Sequence, residues 1–256
     1  MLVNKAYKFR IYPTKEQEIL IAKTIGCSRF VFNRFLGRWN ETYKETGKGL
    51  SYHSCSAELT HLKKEFVWLK EVDSIALQSS LKNLADSYSR FFKKQNKAPR
   101  FKSKKNNVQS YTTKETNNNI AIIDNKIKLP KLGLVRFAKS REVKGRIIHA
   151  TIRQDPTGKY FVSILAETDV QPLEKTESSI GIDLGITDFA IFSDGRKIDN
   201  NKFTSKMEKK LKREQRKLSR RALNAKNKGI SLLDAKNYQK QKIKVARLHE
   251  RIMNQR

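Results

Sequence analysis

The sequence predicts an α+β multidomain protein: a small antiparallel β-barrel interrupted by an inserted helical bundle, then a second region ending in a basic helical hairpin. Three observations predict it. Period-2 alternation opens the chain and returns between about Val108 and Thr168. Helical spacing of apolar residues fills the interval, and positive charge is concentrated at the end of the chain. The boundaries read from this pattern are residues 1–13 with 100–177 for the barrel, 14–99 for the inserted bundle and 178–256 for the last region, with the hairpin over 203–256.

Taken in order, Tyr7, Phe9 and Ile11 alternate with Lys8 and Arg10, which predicts a strand with one apolar and one basic face, closed by Pro13. Thr14 with Gln17 three places on is a capping-box pattern opening a helix through Ile19, Leu20 and Ala22. A separate helix is expected from Ser28 through Phe30, Val31, Phe32, Phe35, Leu36 and Trp39, ending at Gly47-Lys48-Gly49. Two more follow, one from about Ser54 to Leu69 and one capped by Asp73 with Ile75, Leu77, Leu81, Leu84, Tyr88, Phe91 and Phe92 on its stripe. Lys93, Lys94, Lys97, Arg100, Lys102, Lys104 and Lys105 then fall together with no acid among them. That run reads either as a loop tracking a phosphate backbone, with Phe101 free to stack on a base or pack beneath it, or as a solvated linker.

The strands come next. Ile120, Ile122 and Ile123 precede an Asp124-Asn125 turn, Ile127 and Leu129 precede Pro130, and Leu134, Val135 and Phe137 follow. A longer hairpin joins residues 147–152 to 160–165 through Asp155-Pro156-Thr157-Gly158, with Pro and Gly where a tight turn wants them. The opening strand is expected to join this sheet. In the stretch 178–196 two apolar runs flank a turn, and Asp183 sits inside the first, between Gly181 and Gly185. A mid-strand carboxylate must be paired, solvated or metal-bound, or else is a strand-end cap. The tail shows two helical stripes, Met207, Leu211, Leu218 and then Tyr238, Val245, Leu248, Ile252, broken at Gly229 with Ser231 and Asp234 as caps.

The chain has 256 residues, and 55 Lys+Arg against 25 Asp+Glu leave a net charge of +30. Self-repulsion on that scale calls for a polyanion, and nucleic acid is the default partner. Half the excess lies in residues 201–256, with 19 Lys/Arg and 4 Asp/Glu. Lys209, Lys210, Lys212, Arg213, Arg216, Lys217, Arg220 and Arg221 make the outer face of the first tail helix nearly all cationic, where a solvated face normally mixes signs. No stretch reaches the roughly 18 apolar residues of a membrane span, and residues 1–5 lack a signal-peptide core. A hydrophobic content of 38 % with 13 Phe and 8 Tyr excludes disorder. Cys27 and Cys55 form neither a disulfide framework nor a zinc ribbon, so a reducing cytoplasm is expected. His53, Cys55 and His61 lack metal-ligand spacing, and His149 and His249 read as ordinary residues.

In four stretches the chain resembles the TnpB (OrfB) family of insertion-sequence proteins: residues 5–13 with 27–33, residues 99–105, Gly181-Ile182-Asp183-Leu184-Gly185-Ile186, and residues 248–256. The resemblance implies a wedge-like barrel, a helical recognition lobe and the start of a RuvC-type, RNase H-like nuclease domain. It further implies a guide RNA from the element's end, a DNA target cut beside a short adjacent motif, and Asp183 as a ligand of catalytic Mg²⁺ in a cytoplasmic, nucleoid-associated protein. The family's later Glu and Asp carboxylates and its four-cysteine zinc element follow where this chain stops at Gln255-Arg256, and Glu250 does not match the family's Glu. Without the four-cysteine element no zinc is expected, and because one carboxylate cannot hold two cations this polypeptide alone is expected not to cleave DNA. The alternatives are a nuclease-inactive RNA-guided DNA-binding repressor, an RNA-binding accessory protein, or an RNA-associated structural protein.

Overall fold

The computed structural model describes residues 1–106, 109–174 and 176–255, so the Val108 start of the strand region and the terminal Arg256 lie outside the described residues. The chain divides into two units, one of residues 1–155 and 159–170 and the other of 156–158 and 171 onward.

The first unit opens with β1 (Leu2–Tyr12), in which Tyr7, Phe9 and Ile11 are buried and Lys8 and Arg10 exposed, as the alternation predicts. Helix α1 (Lys15–Thr46) follows. Its capping box is complete: Gln17 N donates to Thr14 Oγ1 at 3.3 Å, and Thr14 N donates to Gln17 Oε1 at 3.0 Å. The Gln17 amide also donates to the carbonyls of Leu132 and Leu134, at 3.0 and 3.1 Å, and so ties the helix start to the sheet. The break expected between Ala22 and Ser28 does not occur. Ile21, Thr24, Ile25, Cys27, Ser28 and Val31 form one buried stripe through the region, and their burial outweighs the roughly 1 kcal/mol helix penalty of Gly26. The helix ends where expected, at Gly47 in the left-handed conformation (φ 67°).

Helix α2 (Tyr52–Glu65) is capped by Ser51 and stops short of the expected Leu69. The chain turns at Phe66, whose ring packs edge-on against Phe30 (centroids 5.4 Å apart), and a short 3-10 turn, Val67–Lys70, takes its place. Helix α3 (Ser74–Phe92) is capped by Asp73, which accepts from Ile75 N at 2.9 Å. The three helices enclose a core of Val31, Phe32, Phe35, Leu36, Leu59, Leu62, Leu77, Leu81 and Leu84.

After the basic loop come β2 (Gln109–Lys114), β3 (Ala121–Ile123), β4 (Lys126–Leu129), β5 (Gly133–Phe137), β6 (Arg146–Gln154) and β7 (Tyr160–Asp169). They form with β1 a seven-stranded sheet in the order β2-β6-β7-β1-β5-β4-β3. Every pairing is antiparallel. β1 lies in the middle, pairing with β7 along ten residues and with β5 at Ile11 and Tyr12, so the helices are inserted between two strands of one sheet. Among the described residues β2 and β3, at the two ends of this order, are not hydrogen-bonded to each other. Its buried face holds Phe9, Ile11, Val135, Phe137, Ile152, Val162 and Ile164. The β6–β7 turn has Gly158 at φ 83° and Lys159 N donating to the Asp155 carboxylate at 2.9 Å.

The second unit contains a three-stranded sheet, β8 (Ile182–Asp183), β9 (Asp188–Phe192) and β10 (Lys197–Asp199), in the order β10-β9-β8. Helices α4 (Phe203–Asn227) and α5 (Lys236–Asn254) pack on each other as a hairpin. Gly229, with φ 65°, lies at the break. The expected caps act differently: Ser231 organises the turn by accepting from Leu233 N at 3.2 Å, and α5 begins at Ala235 without a side-chain cap.

Candidate nucleic-acid interface and carboxylate site

On the first unit, two basic surfaces are built from different elements. Lys8 and Arg10 project from the outer face of β1, the Lys8 ammonium 4.7 Å from the Phe161 ring centre and the Arg10 guanidinium 5.0 Å from that of Tyr12. Arg136 reaches the same Tyr12 ring at 5.1 Å because β5 places it opposite Tyr12. The sequence reading missed Arg136. Its alternation with buried Val135 and Phe137 pointed it outward, but only strand register brings it beside Arg10.

In the basic loop, Lys93, Lys94, Lys97, Arg100, Lys104 and Lys105 are exposed and make no ion pair among the described residues. Phe101 is 60 % exposed, so it does not pack beneath the loop. Lys102 is exposed too, but its backbone and ammonium are held. Its backbone exchanges two hydrogen bonds with the Asn33 amide, at 2.9 and 2.7 Å, and its ammonium lies 4.0 Å from the Phe32 ring centre. Burial of that ammonium pushes its pKa below the usual lysine value. The stretches 27–33 and 99–105 therefore meet, and Arg29 beside them donates to Gln109 Oε1 at 3.1 Å. They line a 240 Å³ pocket with Ser28, whose buried hydroxyl has no hydrogen-bond partner among the described residues.

On the second unit, α4 carries all eight predicted cations. Lys209, Arg213, Arg216 and Arg220 recur at helical spacing along one line, and Lys212, Arg213, Arg216 and Arg220 line a shallow groove. Lys212 is 2.6 Å from Glu208, Lys217 is 3.4 Å from Glu214, and Arg221 donates to the Asn237 carbonyl at 2.8 Å. Lys209, Lys210, Arg216 and Arg220 have no carboxylate partner among the described residues.

Behind this face is a polar core that apolar periodicity could not reveal. Glu214 is 1 % exposed and accepts from the Gln241 amide of α5 at 2.8 Å, with Lys244 at 3.3 Å. The Gln241 hydrogen bond, with help from Lys244 and Lys217 and against desolvation, holds the Glu214 carboxyl down to about 2, from 4.5. A depressed folded-state pKa stabilises above the unfolded value and loses that contribution as pH falls from about 4.5 toward 2. Urea unfolding of Glu214→Gln should therefore depend less on pH than wild type across that window; equal pH dependence would show that Glu214 does not set it.

Asp183 pairs with Ile191 at the end of the two-residue strand β8 and is exposed. Neighbouring Leu184 and Ile186 are 70 % and 87 % exposed, so the carboxylate stands on an open strand and not a covered one. Gly181 N donates to Ser193 Oγ at 3.0 Å, and a Cβ on Gly185 would sit 3.0 Å from the Asp188 carbonyl. No cluster of three or more His, Cys, Asp or Glu able to hold a metal occurs among the described residues. Asp183 alone therefore does not fit a two-cation site. His53, Cys55 and His61 share α2 without forming a cluster, and burial raises the pKa values of the free Cys27 and Cys55 thiols. Burial and nearby Lys114 lower the pKa of His149. No described helix is long and apolar enough to cross a membrane.

The architecture is thus that of a strongly cationic α+β protein of two units, with unpaired basic surfaces on each. Residues 161–256 match the family model described as "Probable transposase" and residues 1–48 the one described as "Helix-turn-helix domain", both of the IS605 OrfB group. In the structure residues 1–48 hold one strand and one uninterrupted helix. The chain is 36 % identical over 258 residues to "Putative RNA-guided DNA endonuclease InsQ" of Escherichia coli (strain K12), covering 98 % of this chain and 60 % of that protein. A Streptomyces pristinaespiralis protein, "Putative RNA-guided DNA endonuclease", is 35 % identical over 260 residues, covering 99 % and 61 %. "Virulence protein VsdF" of Salmonella dublin is 35 % identical over 111 residues, covering 39 % of this chain and 93 % of that one. The chain belongs to the TnpB (OrfB) family, and it spans about 60 % of the length of the two long relatives.

Proposed function

We propose that this protein is a transposon-encoded nucleic-acid-binding protein that holds a guide RNA from its element and directs it to DNA. The observation that carries the reading is the set of unpaired cations on β1, on the loop after α3 and along α4, in a chain whose long relatives are named for RNA-guided DNA endonuclease activity. In this reading the seven-stranded sheet is the wedge-like barrel, α1–α3 the recognition lobe, and β8–β10 with the hairpin the opening part of a RuvC-like domain. The protein works in the cytoplasm, on the nucleoid.

Asp183 is proposed as one Mg²⁺ ligand, of a site whose other carboxylates the described residues do not supply. The test is to incubate the purified protein and its bound RNA with Mg²⁺ and plasmid carrying the matching sequence. The expected result is RNA-dependent retention of the plasmid; retention that does not depend on the RNA would overturn the reading. Cleavage abolished by Asp183→Ala would support Asp183 as a metal ligand.

A further inference from the structure

The helical part of the first unit carries a feature the basic surfaces do not explain. Trp39 and Tyr43 of α1 and Tyr88 and Phe92 of α3 form one aromatic stack: Trp39 lies 3.7 Å from Tyr88 at 18° and 5.2 Å from Tyr43 at 12°, with Phe92 6.2 Å from Tyr88 at 23°. The inner rings are fixed. Tyr88 is buried and donates to Asn40 Oδ1 at 3.0 Å, and the Gly49 backbone lies so close over Trp39 that a Cβ there would be 2.2 Å from the indole. The outer rings are open, Tyr43 at 48 % and Phe92 at 59 % exposure, beside a cleft of about 540 Å³.

Apolar packing alone would bury such rings. Instead Tyr43 and Phe92 are exposed in a cationic stretch of sequence, with Lys44 and Lys48 after Tyr43 and Arg90, Lys93, Lys94 and Lys97 flanking Phe92. Exposed rings continuing an aromatic stack, with Phe92 tilted 40° to Trp39 and cations nearby in sequence without ion-pair partners among the described residues, complement an unstacked nucleobase and its flanking phosphates. We infer that this stack is a platform for an unpaired base of single-stranded nucleic acid. It belongs to a different unit from Asp183 and needs no cleavage chemistry.

The chain has two tryptophans, so Trp68→Phe leaves Trp39 as the only indole reporter. The probes are oligouridine RNA, oligothymidine DNA, an abasic strand of equal length, and heparin. The base-bearing strands should quench Trp39 fluorescence, while the abasic strand and heparin bind without quenching. Tyr43→Ala with Phe92→Ala, both at exposed positions, should weaken the base-bearing strands on the order of tenfold or more and leave heparin affinity unchanged. Comparing the RNA and DNA arms identifies which strand supplies the base. If the abasic strand binds and quenches like the base-bearing ones, or the double variant loses nothing, the platform is wrong while nucleic-acid binding stands. If no strand binds, the broader reading falls with it.

Discussion

Replacing Lys209, Arg216 and Arg220 together by alanine is expected to lower RNA affinity on the order of 50-fold near physiological salt and to flatten its salt dependence. The three lie on one line of α4 and lack carboxylate partners among the described residues, so each is free to displace a counterion from a phosphate. Single-stranded RNA loses about 0.7 in the slope of log K against log salt per phosphate contact, so the triple variant should lose about 2. Removing Lys212 instead should do less, since Glu208 at 2.6 Å already engages it. Stability should hold or rise slightly, because like charges are removed from a chain of net charge +30. Filter binding at several salt concentrations measures both quantities. An unchanged slope would mean α4 does not face the nucleic acid.

The second large effect concerns the helical core. Phe35→Ala should destabilise the first unit by about 3–5 kcal/mol, lowering its Tm by roughly 6–20 °C. Phe35 is nearly fully buried among Val31, Leu36, Leu59 and Leu81, where loss of the ring leaves a cavity that helices from three parts of the sequence cannot all close around. Phe101→Ala is the control: that ring is exposed, and its loss should change stability by less than about 0.5 kcal/mol. Equal destabilisation by both changes would refute the packing described here.

What could be read from the sequence is what local chemistry decides. Thr14 with Gln17, Asp73, and Asp155 through Gly158 each specify a cap or turn with their nearest neighbours, and each forms as expected. The alternation of Tyr7, Phe9 and Ile11 likewise assigns the two faces of β1. The errors arise where distant contacts override a local signal. The apolar spacing around Ala22 and from Ser28 reads as two helices, but the stripe buried on either side of Gly26 keeps α1 continuous. Glu214 and Gln241 lie 27 residues apart and carry no local signal of burial, yet the hairpin buries them on each other. Arg136 beside Arg10, and Trp39 against Tyr88, depend on strand register and helix packing that no short window contains. Asp183 was found by its setting between two glycines, but its apolar neighbours suggested a covered strand where the structure has an exposed one.

The most direct test of the central claim is to isolate the protein from cells that encode it, crosslink it, and sequence the RNA it holds. The account predicts one discrete RNA species whose crosslinks fall on α4 and on the loop after α3. A mixture of abundant cellular RNAs in proportion to their concentrations, with crosslinks scattered over both units, would contradict it.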